Sequence, residues 1–318
     1  MLLEYYLNKL GLKEIPSFLI PYLECPSLKR LKQIGYFCGM DYASKDIYDF
    51  KELITRYDHS LSTALLTYRL TKDKIATIAA LFHDIATPCF SHVIDYMNKD
   101  YARQESTEKY TRKIILEDEE LLSLLRRDGI PIDSIINFKQ FSVVDNERPK
   151  LCADRLDGII LNGIGCTKNI NADDIDDIID DITLFINEDG EYEIGFKTES
   201  IARRVLEVND SINEYFHSNE DNYMMELLAN ITKKAINKGI ITEEQLYILS
   251  EKDILSLIEF SFDSELREQL HLFKTIKRED IPKIRVDNIK ERSINPLVGN
   301  TRIIRDKFSL SLQLSNNS

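Results

Sequence analysis

The chain has 318 residues, 43% hydrophobic and 30% charged, enough to bury a sizeable core and unlike a disordered chain. Its 41 basic and 54 acidic residues leave a net charge of −13, which disfavours nucleic acid as a partner because non-specific binding needs Lys and Arg to displace counterions from phosphates. Five cysteines, at 25, 38, 89, 152 and 166, are odd in number and lack CxxC spacing; they argue against a disulfide framework and for free thiols in a reducing cytoplasm.

Residues 1–40 read as short helices punctuated by Pro16, Pro21 and Pro26, with SLKRLKQIGYF at helical period and Gly35 as its stop. The opening MLLEYYLNKLGLKEI carries Glu4 where a signal peptide needs basic charge, and no window reaches the apolar length of a membrane span. A cytoplasmic protein with no membrane partner is expected.

After a polar connection, helices are expected near 59–70, 73–86, 90–98, 105–127 and 149–163, the fourth opening at Ser106 and closing at Gly129 and Pro131. In NADDIDDIIDDIT, residues 171–183, the aspartates suggest calcium. However, Ile175, Ile178, Ile179 and Ile182 form one apolar stripe, and the glycine and terminal glutamate of a calcium loop are missing, so this is a helix with a solvated acidic face. TLFINEDGEYEIGF alternates on both sides of Asp189-Gly190, a hairpin signal. Helix returns from 198 to about 258 with a break at Lys238-Gly239, and the last sixty residues are less regular, with KIRVDNI and FSLSLQL as candidate strands. The expected architecture is mainly α with a β-hairpin insertion, divided into a domain over 1–236 and a small C-terminal α+β region over 237–318.

Chemistry concentrates between Arg56 and Asp95, which holds three of the five histidines: His59, His83 and His92. From Ile75 to Phe82 only Thr77 is polar, so this helix is buried and ends abruptly in His83-Asp84. Two costly groups at the edge of a core need partners, and a metal ion is the most economical one. Farther along, PKLCADRLDGIILNG carries Asp154 with Arg155 beside it, and Asp157 is the nearest competitor for the role of Asp154. Gly163-Ile164-Gly165 follows a helix and lacks a third glycine, so it is no dinucleotide loop, and neither a P-loop nor a GxSxG elbow is present. A nucleophile pair of Cys89 with His92 is the poorer use of that histidine beside a metal site.

The ordered set His59, His83-Asp84 and Asp154 resembles the H…HD…D signature of the HD-domain superfamily of metal-dependent phosphohydrolases. RYDHSL, LFHDIATPCFSHVID, ADRLDGI and the preceding PSLKRLKQIG resemble segments of its deoxynucleoside-triphosphate triphosphohydrolase branch. The resemblance covers residues 20–165 well and implies an HD-domain helical fold. It also implies that His59, His83, Asp84 and Asp154 hold one divalent metal ion (Mn, Fe, Ni or Zn), that Arg56 and Arg155 face substrate phosphate, and that His92 and Asp95 move protons. Glu105 is a further catalytic candidate, following Gln104 where that branch has a catalytic histidine. Thr87 likewise stands where the branch has histidine, and FHSNEDNYMM only begins like its FHTR segment.

The function implied is hydrolysis of a small phosphorylated metabolite, a nucleotide or deoxynucleotide first of all. A non-catalytic nucleotide sensor, favoured by Thr87 and Gln104, and a phosphodiesterase stand as alternatives, and a homo-oligomer is compatible with all three.

Overall fold

The protein is described here by a computed structural model covering residues 1–100, 110–286 and 289–303. α1 (Leu2–Leu10) buries Leu3, Tyr6, Leu7 and Leu10. α2 (Pro26–Arg30) starts on proline, and the helix expected through SLKRLKQIGYF tightens after Arg30 into a single 3-10 turn. A bridge between Gly35 and Thr55 leads into α3 (Arg56–Thr71), where Thr55 and Asp58 satisfy each other's backbone N–H in a capping box. α4 (Lys74–Phe82) is buried at every residue from Ala76 to Phe82 and packs against α3.

Several helices end earlier or start later than their sequence period suggests, each for a local reason. α4 stops at Phe82 because the following N–H groups of Ile85 and Thr87 bond back three residues instead of four. α5 (Val93–Met97) starts late because Phe90 and Ser91 both take left-handed backbone, φ 64° and 47°, a conformation costing a non-glycine residue on the order of 1 kcal/mol or more. The helix expected over 105–127 is two, α6 (Thr111–Glu117) and α7 (Glu119–Asp128), because Asp118 turns its side chain to cap Leu121 N–H. Its expected start at Ser106 lies outside the described residues. α8 (Ile132–Ile136) follows.

α9 (Ala153–Gly165) starts four residues after the expected 149, since Pro149 lacks a donor and Ala153 and Asp154 give their N–H groups to the carbonyls of Val143 and Val144. The acidic α10 (Ala172–Asp181) buries its isoleucine stripe as its pattern dictates. β1 (Ile182–Ile186) and β2 (Tyr192–Phe196) form the hairpin. α11 (Glu199–Phe216) and α12 (Asn219–Asn237) are separated at Ser218, which caps α12. α13 (Glu251–Glu259) and α14 (Ser264–Thr275) follow, and α14 corrects the reading of this stretch as irregular. The described residues of KIRVDNI are not strand, and FSLSLQL lies outside the described residues. The C-terminal strands are instead β3 (Leu297–Val298), parallel to β2, and β4 (Thr301–Arg302). Among the described residues no helix is long and apolar enough to cross a membrane.

Glu251, the first residue of α13, ties this frame together. Fully buried, it accepts N–H bonds from Gly35 at 3.0 Å and Phe90 at 2.9 Å, joining the chain that enters α3 to the turn before α5. Burial pushes its carboxyl up to about 8. Between the ordinary carboxylate range and that value the folded protein keeps a proton the unfolded chain has lost, so stability falls as pH rises across the window. Urea unfolding at about pH 5 and about pH 8 should show that decline in wild type and a flatter profile in Glu251→Gln; equal slopes would contradict this.

Candidate metal and phosphate site

Three helices deliver the central cluster. α3 presents His59 from its first turns, the end of α4 presents His83 and Asp84, and the first turn of α9 presents Asp154. His59 Nε2 lies 3.0 Å and His83 Nε2 3.5 Å from Asp154 Oδ1. Asp84 stands beside them, its Oδ2 3.8 Å from His59 Nε2 and its Oδ1 3.8 Å from His83 Nε2. His59, His83 and Asp154 lie close enough together to hold one ion; Asp84 borders this group.

The outer faces of both imidazoles are fixed. His59 Nδ1 donates to Asp157 Oδ2 at 2.6 Å, and His83 Nδ1 donates to the Ala80 carbonyl at 2.7 Å. A carbonyl can only accept, so the His83 Nδ1 carries hydrogen and the neutral ring turns its lone pair inward. His83 Nε2 is buried without a hydrogen bond, an arrangement that costs free energy unless something else fills it. Burial alone would lower both histidines, but Asp154 and Asp157 outweigh it and raise His59 to about 10, and Asp84 and Asp154 raise His83. Burial works against ionisation of Asp154 and Asp84 too, yet the two histidines hold Asp154 far below the carboxylate range, and His83 and Arg56 lower Asp84. Two inward nitrogens, one of them unsatisfied, and an ionised carboxylate between them fit a divalent cation.

Asp157 is neither a surface charge nor a rival of Asp154. It is fully buried, and its second oxygen accepts from Tyr6 of α1 at 2.7 Å. No periodic signal marks this, because Asp157 becomes buried only when α1 and α3 close on α9. A second acidic group, Asp145 with Cys152 and Asp154, fits a metal poorly, since burial pushes the Cys152 thiol up to about 12 and leaves it protonated.

A cavity of about 520 Å³ opens beside the cluster. Arg56 lines it, buried, with Nη1 on Asp84 Oδ2 at 2.9 Å, Nε on Ser91 Oγ at 3.2 Å and its guanidinium over the Tyr36 ring. Arg155 also lines it, but its guanidinium is spent on Asn146, the Lys150 carbonyl and Asp145, the geometry of a brace for the loop before α9. His92 lines the cavity and is held through Nδ1 by the buried Asp95 at 2.9 Å. Burial outweighs Asp95 and keeps His92 below histidine's ordinary range. Part of the lining is aromatic, with Phe37 stacked on Phe50 at 4.3 Å and Tyr48 donating to the buried Asp221. Gly165 admits the Phe37 ring, which a Cβ there would strike. Gln104 and Glu105 lie outside the described residues.

Residues 56–158 match the family model of the HD domain. This stretch contains every member of the cluster. Among similar proteins, the uncharacterized protein YdhJ of Bacillus subtilis is 24% identical over 214 residues, 67% of this chain and 63% of that protein. The metal-dependent phosphohydrolase cns2 of Cordyceps militaris is 21% identical over 235 residues, 70% of this chain and 64% of that protein. The uncharacterized protein MJ1154 of Methanocaldococcus jannaschii is 22% identical over 238 residues, 72% and 48% respectively. The chain thus spans less than two thirds of the length of each.

Loss of the carboxylate behind a metal-binding histidine typically costs about 10–100-fold in metal affinity. Asp157→Asn should therefore bind Mn²⁺ more weakly by about that factor, measured by competition with a fluorescent chelator, while keeping its helical circular dichroism. Wild-type affinity in that variant would reduce Asp157 to a packing role.

Proposed function

We propose that this chain is a metal-dependent phosphohydrolase acting on a small phosphorylated substrate, with nucleotides as the substrate class. The observation that carries this is the convergence of His59 Nε2 and His83 Nε2 on Asp154 beside a cavity lined by Arg56 and aromatic rings. The HD-domain match and the relative named a metal-dependent phosphohydrolase support the same reading. The aromatic wall around Phe37 and Phe50 supports the nucleotide class, because stacked rings suit a flat base.

His59, His83 and Asp154 would hold the ion, with Asp84 as the fourth ligand. A divalent ion there supplies Lewis acidity toward a phosphoryl oxygen and makes water a better nucleophile at neutral pH. Arg56 holds Asp84 in place and adds positive charge for the phosphoryl oxygens. His92, neutral at neutral pH and oriented by Asp95, accepts the proton of the attacking water. Arg155 acts as a positioning residue for the loop carrying Asp145. Glu105 is assigned no step.

Phosphate release from nucleoside mono-, di- and triphosphates should be detectable with at least one of Mn²⁺, Fe²⁺, Ni²⁺ or Zn²⁺, and Asp84→Asn should lose roughly a hundredfold or more, since a neutral amide is a poor ligand. No turnover of any phosphate ester with any of these metals, together with tight nucleotide binding, would favour the sensor instead.

The rate should rise with pH through an ionisation below histidine's ordinary range and then level off, because the neutral imidazole is the base. That limb should vanish in His92→Ala while bound metal stays constant; loss of metal would make His92 a ligand.

A further inference from the structure

Besides its bond to Asp84, Arg56 is gripped at three places, none of them on its own helix. Its N–H donates to the Ile34 carbonyl at 2.9 Å, its guanidinium lies 4.9 Å over the Tyr36 ring, and its Nε donates to Ser91 Oγ at 3.2 Å. Ile34 and Tyr36 flank Gly35, and Ser91 follows Phe90. The N–H groups of Gly35 and Phe90 both end on the Glu251 carboxyl, one on each oxygen. One buried side chain thus stands behind all three grips.

The same two bonds reach further. Tyr36 packs on the His59 ring at 5.2 Å, and Ser91 leads directly into His92. Phe90 and Ser91 hold left-handed backbone, which persists only where the surroundings impose it. Cys89 adds two bonds to the stretch before α13, from N–H to the Leu246 carbonyl at 2.7 Å and from Sγ to the Leu249 carbonyl at 3.1 Å. Gly35 leaves room for this, since a Cβ there would lie 2.6 Å from Asp41 Oδ2 and 3.1 Å from Glu251 Oε2. Burying an acid beside a second carboxyl is costly. An apolar side chain would fill the space, but only a pair of acceptors can hold N–H groups from two distant segments at once. α13 lies outside the stretch 56–158 that matches the family model.

We propose that Glu251 is a positioning residue for the reaction: by holding Gly35 and Phe90 on its two oxygens it fixes Arg56 and His92 relative to one another, without itself lining the cavity. This rests on the phosphohydrolase reading for the roles of Arg56 and His92.

Glu251→Gln in the full chain tests this, because an amide keeps one acceptor oxygen and turns N–H toward the other donor. The titration of His92, followed by nitrogen NMR of histidine-labelled protein and assigned with His92→Ala, reads the geometry without turnover. Burial lowers His92, Asp95 raises it, and Arg56 and Arg292 lower it. A loosened turn admits water and lets Arg56 draw away, and both changes move His92 up toward histidine's ordinary range. Glu251→Gln should show that rise, together with a loss in kcat/KM of at least about tenfold at constant bound metal. Asp263→Ala, which removes the Oδ1 cap on Leu266 N–H at the start of α14, should lower the urea midpoint and leave both readouts at wild-type values. Wild-type behaviour in Glu251→Gln overturns the proposal, as does an equal shift in Asp263→Ala. Gly35→Ala, which crowds Glu251 Oε2 from the partner side, decides the matter if Glu251→Gln does not fold. A wild type without turnover, with His92 still moving in Glu251→Gln, would count against the phosphohydrolase reading alone.

Discussion

The structure depends on the placing of one imidazole between two carboxylates. His59 bonds Asp157 through Nδ1 and approaches Asp154 through Nε2, and both carboxylates sit on the first turns of α9. With Tyr6 of α1 on the other oxygen of Asp157, three helices from distant parts of the sequence meet at one buried polar centre. A buried charge stripped of its partner costs several kcal/mol, of order 3–5. The register of α3 against α9 is therefore set by polar geometry as much as by packing. α4 then has one way to fit, apolar on all sides, with His83 and Asp84 at the edge where the other two helices converge.

Around that centre the cavity is assembled from pieces that share little sequence proximity. The hairpin looks peripheral but fastens two distant segments. Glu193 accepts the Leu151 N–H at 3.0 Å just before α9 and holds Arg302 of β4. Glu251 does the same on the other side, joining the approach to Arg56 with the left-handed turn that aims Ser91 and His92. Rigid helices fix the cluster, while bonded loops set the walls where substrate would lie.

What could be read from the chain alone follows from this division. His83 and Asp84 stood out because an all-apolar helix ending in His-Asp is chemically awkward, whereas His59 and Asp154 joined them as ligands only through the resemblance to the H…HD…D signature. The isoleucine stripe of α10 and the Asp189-Gly190 turn were legible because both obey local rules. Asp157 was not, since its neighbours on α9 read as an ordinary helix and its burial is tertiary. Asp145 sits in an irregular segment with no period to betray it. Helix ends misled where a side chain or a distant carbonyl captured an N–H group, as Asp118 and Val143 do.

The central claim is that the inward nitrogens of His59 and His83 and the Asp154 carboxylate hold one divalent ion. Anomalous diffraction from crystals grown with Mn²⁺ tests it directly. The account predicts a single strong peak with all three side chains about 2.2 Å from the ion, within the tolerance usual for nitrogen and carboxylate ligands. A peak elsewhere, or none at saturating Mn²⁺ with His83 Nε2 still unpaired, would contradict it.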